Sequence, residues 1–469
     1  MPNVPIPLVG PTYTSRSLEV ASQVTKNFYI EVNNTSLDNQ TIAAFQPFPG
    51  LKPWATTTGI DRGMGVYNNE LYKVSGQSLY KIDSLGTETL IDTINGFERC
   101  TLVEDNSNLV IATQTTKPYT YDGATVTLGT DPDLHTSNSV TYIKNRVVYD
   151  GNNGDVIFAD LGTPLSVNSA NVTSADNKPD DSLAVYAFKD QLFAFSDRSI
   201  TPYYASGAGN PPYDVIQNAV QEIGLGAVNS ISSNNNYMYF LGSDLQPYRL
   251  AGLQPQPIGN PSIGRAIDGY TNTSNAIGHC FTFNNQNFYL LNFPDHETWL
   301  FSEGAGWTNL SYGENNPHLF GSYAYCYGRH LVGDRRNGNI YELDFDTYTD
   351  NGDTIFRQRD TAKVSGKSFG VPGKEIFMER LEIVVERGVG ILSGQGSDPQ
   401  IMMSYSDDGG NSWSAERWAD MGEQGKYGSM IPLAWNDLGS FYERMFRFKV
   451  TDPVKVVLIS ANADIEVGV

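Results

Sequence analysis

The sequence predicts an all-β protein: a six- or seven-bladed β-propeller with an extended N-terminal arm and a C-terminal β-sandwich. Three observations carry this expectation. One pattern recurs seven times between about Gly65 and Phe345: an apolar or aromatic strand, a tight turn of Asn, Lys, Asp or Gly, a second apolar strand, and a third ending in an aromatic residue. Equivalent strands stand roughly 37 to 50 residues apart, the period of propeller blades rather than of helical repeats. Finally, 27 Tyr and 22 Phe stand beside 45 Gly with only 18% charged residues, which suits short strands and many turns.

Taken in order, the repeats lie at 66–74 with 79–82; at 101–103, 109–111 and 119–121; at 141–149; at 185–195; at Ile231 with 237–240; at 281–291; and at 323–325 with 330–332. Each meander cannot bury both faces alone. Neighbours must therefore stack face to face around an axis until the ring closes and hides the edges. Neither a strand-ending Trp-Asp dipeptide nor a paired-glycine motif repeats, so spacing and turn chemistry carry the assignment.

Residues 1–55 precede the ring. Pro2, Pro5, Pro7 and Pro11 fix an extended path, residues 15–31 are expected to hold a short helix, and Phe45-Gln46-Pro47-Phe48-Pro49-Gly50 follows. Such an arm lies on its own propeller or on a neighbouring subunit. The propeller is expected over 56–350. Beyond it, a polar stretch with an Asn351-Gly352 turn and a Gly-, Lys- and Ser-rich segment at 363–374 mark a boundary. Over 351–469 a linker then leads into alternating strands at 378–385, 400–405, 413–418, 442–450 and 454–460, closed by 463–467, which read as a small sandwich.

The 31 Lys and Arg against 52 Asp and Glu give 31 − 52 = −21. A chain of that charge is repelled by nucleic acid and by anionic membranes, so specific binding of a DNA backbone is disfavoured. The start, Met1-Pro2-Asn3-Val4-Pro5-Ile6-Pro7, lacks a basic segment followed by an apolar one and is not read as a secretory signal. No apolar run is long enough to span a bilayer. Cys100, Cys280 and Cys326 are odd in number, widely spaced and set in predicted strands, as expected of buried thiols made in a reducing cytoplasm.

Three motifs invite chemistry. Ser406-Asp407-Asp408-Gly409-Gly410-Asn411-Ser412-Trp413 fits the Asp-box pattern of sialidase-type propellers, in which the carboxylate accepts turn amides and the Trp packs beneath the hairpin. It occurs once and lies in the predicted sandwich. Val364-Ser365-Gly366-Lys367-Ser368 ends like a phosphate-binding loop, but Thr361 stands where the first glycine belongs and no helix pattern follows, so the amides that would hold phosphates are missing. His279, Cys280, Cys326 and His330 suggest zinc, yet consecutive strand residues point to opposite faces, so His279 and Cys280 cannot easily serve one ion. No catalytic, cofactor-binding or metal-ligating residue is assigned, and no cofactor is expected.

The stretch from Lys26 to Ile82 carries a resemblance. Asn27-Phe28-Tyr29-Ile30-Glu31, Phe48-Pro49-Gly50-Leu51, Arg62-Gly63-Met64-Gly65 and the hairpin Leu71-Tyr72-Lys73-Val74-Ser75-Gly76-Gln77-Ser78-Leu79-Tyr80 together resemble the tail-hub, or nozzle, proteins of short-tailed bacteriophages, also called tail accessory factors or packaged-DNA stabilisation proteins. Met378-Glu379-Arg380-Leu381-Glu382, Ser404 to Gly409 and Arg444-Met445-Phe446-Arg447-Phe448 resemble the same family's closing domain. The resemblance implies a non-enzymatic virion tail component made in the host cytoplasm. It implies a homohexameric ring beneath the portal and its adaptor, closing the DNA exit channel without binding passing DNA specifically, and docking a tail needle and tailspikes or fibres. The alternatives are a sialidase-like propeller that cleaves glycan and a receptor-binding propeller whose exposed aromatics stack on sugar rings.

Overall fold

The computed structural model describes residues 3–33, 42–151, 154–174, 182–207, 210–427 and 433–468; Pro2 and residues 34–41 of the expected arm lie outside them. Seven four-stranded antiparallel sheets form the propeller among the described residues. Their innermost strands are Asp61–Tyr67, Cys100–Glu104, Val140–Ile143, Ser182–Phe188, Ser232–Ser233, Ile277–Phe283 and Phe320–Cys326. The seven expected repeats each supply one blade. Between successive blades lie seven separate apolar clusters; the last packs Met64, Leu71 and Ile82 of blade one against Ala324, Leu331 and Ile340 of blade seven, so the ring is closed.

Turn chemistry accounts for the meanders. The first hairpins of blades one, three and six turn on Asn68-Asn69, Lys144-Asn145 and Asn284-Asn285, each pair with both φ angles positive. Two such residues make the turn whose twist matches the flanking strands, and Asn tolerates that backbone best after Gly.

The strand pairing redraws the boundary expected at residue 55. Blade seven takes three strands, Phe320–Cys326, Arg329–Asp334 and Asn339–Asp344, from its own repeat, and its outer strand is Gly50–Thr56, paired antiparallel with Leu343 opposite Leu51. A ring that ends on three strands leaves an open edge, and a segment from before the first blade covers it.

The rest of the arm is built into the sandwich. One sandwich sheet runs Phe28–Asn33, Ile42–Pro47, Leu458–Val467, Ile376–Val385, Leu433–Asn436, with Asn3–Ile6 paired to Leu458–Val467. The other runs Ser22–Lys26, Arg357–Asp360, Glu443–Val450, Gln400–Ser406, Arg417–Asp420, and it continues into blade six where Lys26 pairs in parallel with Asn309. Phe28, Phe45, Leu381, Trp435 and Phe446 are buried together between them. The short helix expected within 15–31 is absent: Ser22–Lys26 and Phe28–Asn33 are strands, separated by Asn27 at φ 57°. The β-branched Val24, Thr25, Ile30 and Val32 favour that outcome. The strands expected at 454–460 and 463–467 merge into Leu458–Val467, and that expected at 413–418 begins at Arg417. The one α-helix of the described residues, Pro261–Asp268, starts at Asn260, whose side chain accepts from the amides of Ser262 and Ile263, with Pro at the first helical position.

Candidate functional site

Two places gather functional-looking side chains: the central channel of the propeller and the junction where ring and sandwich meet. The channel holds a polar cavity of about 360 Å³ bounded by all seven innermost strands. Hydroxyl side chains there bind neighbouring blades. Ser139 accepts from the Val185 amide (2.7 Å), Thr141 from the Ala187 amide (3.0 Å) and Ser232 from the Cys280 amide (2.8 Å). Short polar side chains thus satisfy backbone amides that the neighbouring blade's own ladder leaves free.

Charge is confined to the closure between blades seven, one and two. Asp61 is buried, accepts from the Ser322 hydroxyl (2.6 Å), and lies 3.5 Å from the Lys73 ammonium and 3.9 Å from Arg99. Lys73 also donates to the carbonyls of Gly338 and Asn339 in blade seven. Burial pulls the Lys73 pKa down, while Asp61 opposes that shift. Glycine makes the room: a Cβ on Gly333 would fall 2.5 Å, and one on Gly321 2.7 Å, from the Asp61 carboxylate. His279 faces the channel with Nε2 2.7 Å from the Gly321 carbonyl, and burial pushes its pKa down to about 4, so it is neutral at pH 7. Arg99 is thus the one charged side chain among those lining the cavity, and none of the lining residues is Asp or Glu. The paired carboxyl groups that most glycosidases use are not among the lining residues.

The residues that carried the family resemblance converge on closure and junction. Buried Arg62 donates to the carbonyls of Glu98, Gly76, Ile94 and Asn95 and so pins the loop between blades one and two. Gly63 and Gly65 let blade two approach, since a Cβ would fall 2.4 Å from the Cys100 carbonyl or 2.8 Å from Leu102. Asn27 donates through Nδ2 to Ser311 of blade six and to the Phe356 carbonyl of the sandwich, and accepts from the Ser311 amide (2.8 Å). Its own carbonyl accepts from the Phe48 amide of the Phe48-Pro49-Gly50-Leu51 motif, and Gly50 sits where a Cβ would strike the Thr347 carbonyl at 2.4 Å.

Arg359 fastens the proline-rich arm. Its fully buried guanidinium donates to the carbonyls of Leu8 (2.7 Å) and Gly10 (3.1 Å), to Thr25 Oγ1 (2.9 Å) and to Gln23 Oε1 (3.1 Å). Burial lowers its pKa to about 10, which leaves it charged at neutral pH. Two residues away Arg357 is equally buried, yet none of its three guanidinium nitrogens has a hydrogen-bond partner among the described residues. Tyr348 lies beneath it at 5.9 Å, and burial pushes the nearby Asp350 carboxyl up to about 7. Such positions are invisible to local sequence spacing.

The motifs weighed for chemistry are structural. Asp408 accepts from the Ser406 hydroxyl (2.7 Å), the Ser412 amide (2.9 Å) and the Ser412 hydroxyl (2.5 Å), which hold its pKa down at about 2. Gly409 and Gly410 have positive φ, and Trp413 stacks under the Arg447 guanidinium at 3.8 Å, which itself forks onto Asp360. The Asp-box therefore ties a sandwich hairpin to the strand carrying Arg359. Val364–Ser365 is a short strand followed by a single 3₁₀ turn, Gly366–Phe369, not a helix that could hold phosphates. The structure separates the four zinc candidates. His279 faces the channel, Cys280 lies buried between blades five and six, Cys326 donates toward the Asn69 carbonyl, and His330 Nδ1 pairs with the Tyr323 hydroxyl at 2.8 Å.

Comparison with known proteins agrees with this architecture. The family model described as bacteriophage P22 Gp10, beta-propeller, matches residues 3–348, and that described as bacteriophage P22 Gp10, beta-sandwich, matches residues 367–466. No curated protein matches the chain. Among solved structures, the WD40 domain of Neurospora crassa Pan2 is 6% identical with a TM-score of 0.42, covering 63% of this chain and 96% of its own. BamB from Moraxella catarrhalis is 9% identical with a TM-score of 0.40, covering 69% and 96%. Likenesses that distant add nothing to the reading. The match over both the ring and the sandwich decides it: the chain belongs to the bacteriophage P22 Gp10 family and is a phage tail structural protein.

Proposed function

We propose that the protein is the hub of a short phage tail: six copies form a ring below the portal and its adaptor, close the DNA exit channel, and dock a tail needle and tailspikes or fibres. The observation that carries this reading is the family match across both domains, joined to a ring and a sandwich that share one continuous sheet through Lys26 and Asn309. A platform that must hold its shape under the pressure of packaged DNA gains from such continuity. The role is mechanical, without catalysis. Six copies carry 6 × −21 = −126 formal charges, so the assembly as a whole repels passing DNA rather than binding it. The deciding experiment measures the mass of the purified protein alone and with its adaptor ring, by light scattering or native mass spectrometry. A sixfold species, above all one that needs the adaptor, is expected. A monomer that ignores the adaptor overturns the reading.

A further inference from the structure

On the hairpin side of the ring, blades five, six and seven enclose a depression of about 310 Å³ beside the channel. Its floor is aromatic. The inner strand of blade seven alternates, turning Ala324 and Cys326 into the cluster shared with blade one and Tyr323 and Tyr325 the other way. Tyr323 packs on Phe281 of blade six at 5.8 Å, but Tyr325 remains 58% exposed. His330 stands between them, 6.1 Å from the Tyr323 ring at 25° and 4.9 Å from the Tyr325 ring. The hydrogen bond between the Tyr323 hydroxyl and Nδ1 orients the imidazole and leaves Nε2 as its other polar atom. Around this platform stand neutral polar groups: the exposed Asn235 amide of the blade-five hairpin and the exposed Thr282 hydroxyl of blade six, which donates to Asn287 Oδ1 (2.7 Å) and keeps its acceptor capacity, whereas Asn234 Oδ1 is taken up by the Asn236 and Tyr237 amides.

Three features define what fits. The electron-rich face of the exposed Tyr325 ring takes the C–H side of a saturated ring. Amides and hydroxyls on the rim offer donors and acceptors together, matching a ligand that bears several hydroxyls. No Asp, Glu, Lys or Arg lines the depression, so nothing there compensates a charged ligand. A volume of about 310 Å³ is at the small end of the roughly 300–1,000 Å³ of small-ligand sites.

We propose that this depression is a binding subsite for a neutral hexopyranose, which stacks on Tyr325 and hydrogen-bonds to Asn235 and His330. It binds without cleaving, since no carboxyl group lines it. The proposal is independent of the hub reading, because a sixfold ring could form with the subsite empty or filled.

The test is ligand-observed saturation-transfer NMR on the full chain with the methyl glycosides of glucose, galactose, mannose and rhamnose, and with a methyl sialoside as the charged comparison. Transfer to the ring C–H protons of at least one neutral glycoside is expected, at the about millimolar affinity of a single stacked sugar. Tyr325→Ala or Asn235→Ala should weaken it about tenfold, whereas Tyr442→Ala, an equally exposed tyrosine of the sandwich, should leave it unchanged. Both test positions are exposed, and retained circular dichroism verifies the fold. Absence of transfer from every neutral glycoside, transfer confined to the sialoside, or transfer that neither Tyr325→Ala nor Asn235→Ala reduces would each overturn the proposal.

Discussion

Arg357 and Arg359 sit two positions apart on one strand, both buried, and their surroundings predict unequal losses for the same substitution. Arg359→Met strips partners from the carbonyls of Leu8 and Gly10 and should cost on the order of 3 kcal/mol in denaturant unfolding. Arg357→Met removes a guanidinium that makes no hydrogen bond and whose main charge partner is buried Asp350; without it burial holds that carboxyl in its neutral form, so the loss should stay near about 1 kcal/mol. Equal losses would contradict this reading of the junction. Asp61→Ala takes from buried Lys73 and half-buried Arg99 the carboxylate they share, and a loss of about 3 kcal/mol is expected, with Asp61→Asn milder because it can still accept from Ser322. A pH effect follows from Asp150, buried between blades three and four, where burial raises the carboxyl pKa from 3.8 to about 7 against the opposing bonds from Ser139 and Asn138. The folded state then binds more protons than the unfolded one between about pH 4 and 7, so this group's contribution falls as pH rises through that window and is flat above it. Asp350 acts in the same direction. Thermal melts from pH 4 to 8 should show the decline in the parent and a shallower one in Asp150→Asn.

Strands divide the first fifty-odd residues between two structures, and truncations can separate them. Removing residues 3–47 takes away the arm's share of the sandwich but keeps Gly50–Thr56, so the propeller should still fold while hydrogen exchange in Arg357–Asp360 and Leu458–Val467 accelerates. Extending the deletion through Thr56 should in addition expose Asn339–Asp344, the strand it covers. If both truncations protect Asn339–Asp344 equally, Gly50–Thr56 does not close the ring. This division also marks the limit of what the sequence made legible. Blades declared themselves because each is local: Asn68-Asn69 and Asn284-Asn285 turn between strands that pair with their immediate neighbours. Gly50–Thr56 carries Pro53 and pairs with a partner at the far end of the ring, so no periodicity announces it. Leu433–Asn436 was missed for the same reason, and Asn260-Pro261 was a helix-start signal set among turn residues that share its composition. Asp61 and Lys73 come from neighbouring strands of blade one and Arg99 from the loop before the inner strand of blade two, and only the fold makes them a group.

As a whole the molecule is one acidic body whose ring and sandwich share a sheet, and its bulk behaviour should follow from that. Duplex DNA should show no detectable binding by fluorescence anisotropy even at low ionic strength, where a basic protein binds most tightly; binding that strengthens as salt falls would contradict repulsion by the net charge of −21. The closing strand has a further consequence, in time rather than in space. On the ribosome Gly50–Thr56 emerges early, yet its partner Asn339–Asp344 is made only after six other blades, and the arm's sandwich partners later still. Because non-local pairing is slow and an unpaired strand invites aggregation, the nascent chain carries a long-lived open edge. Closure of the ring is therefore an event that waits on translation: a chain cut short before Asn339–Asp344 has no strand to pair with Gly50–Thr56 and should show that segment unprotected in hydrogen exchange.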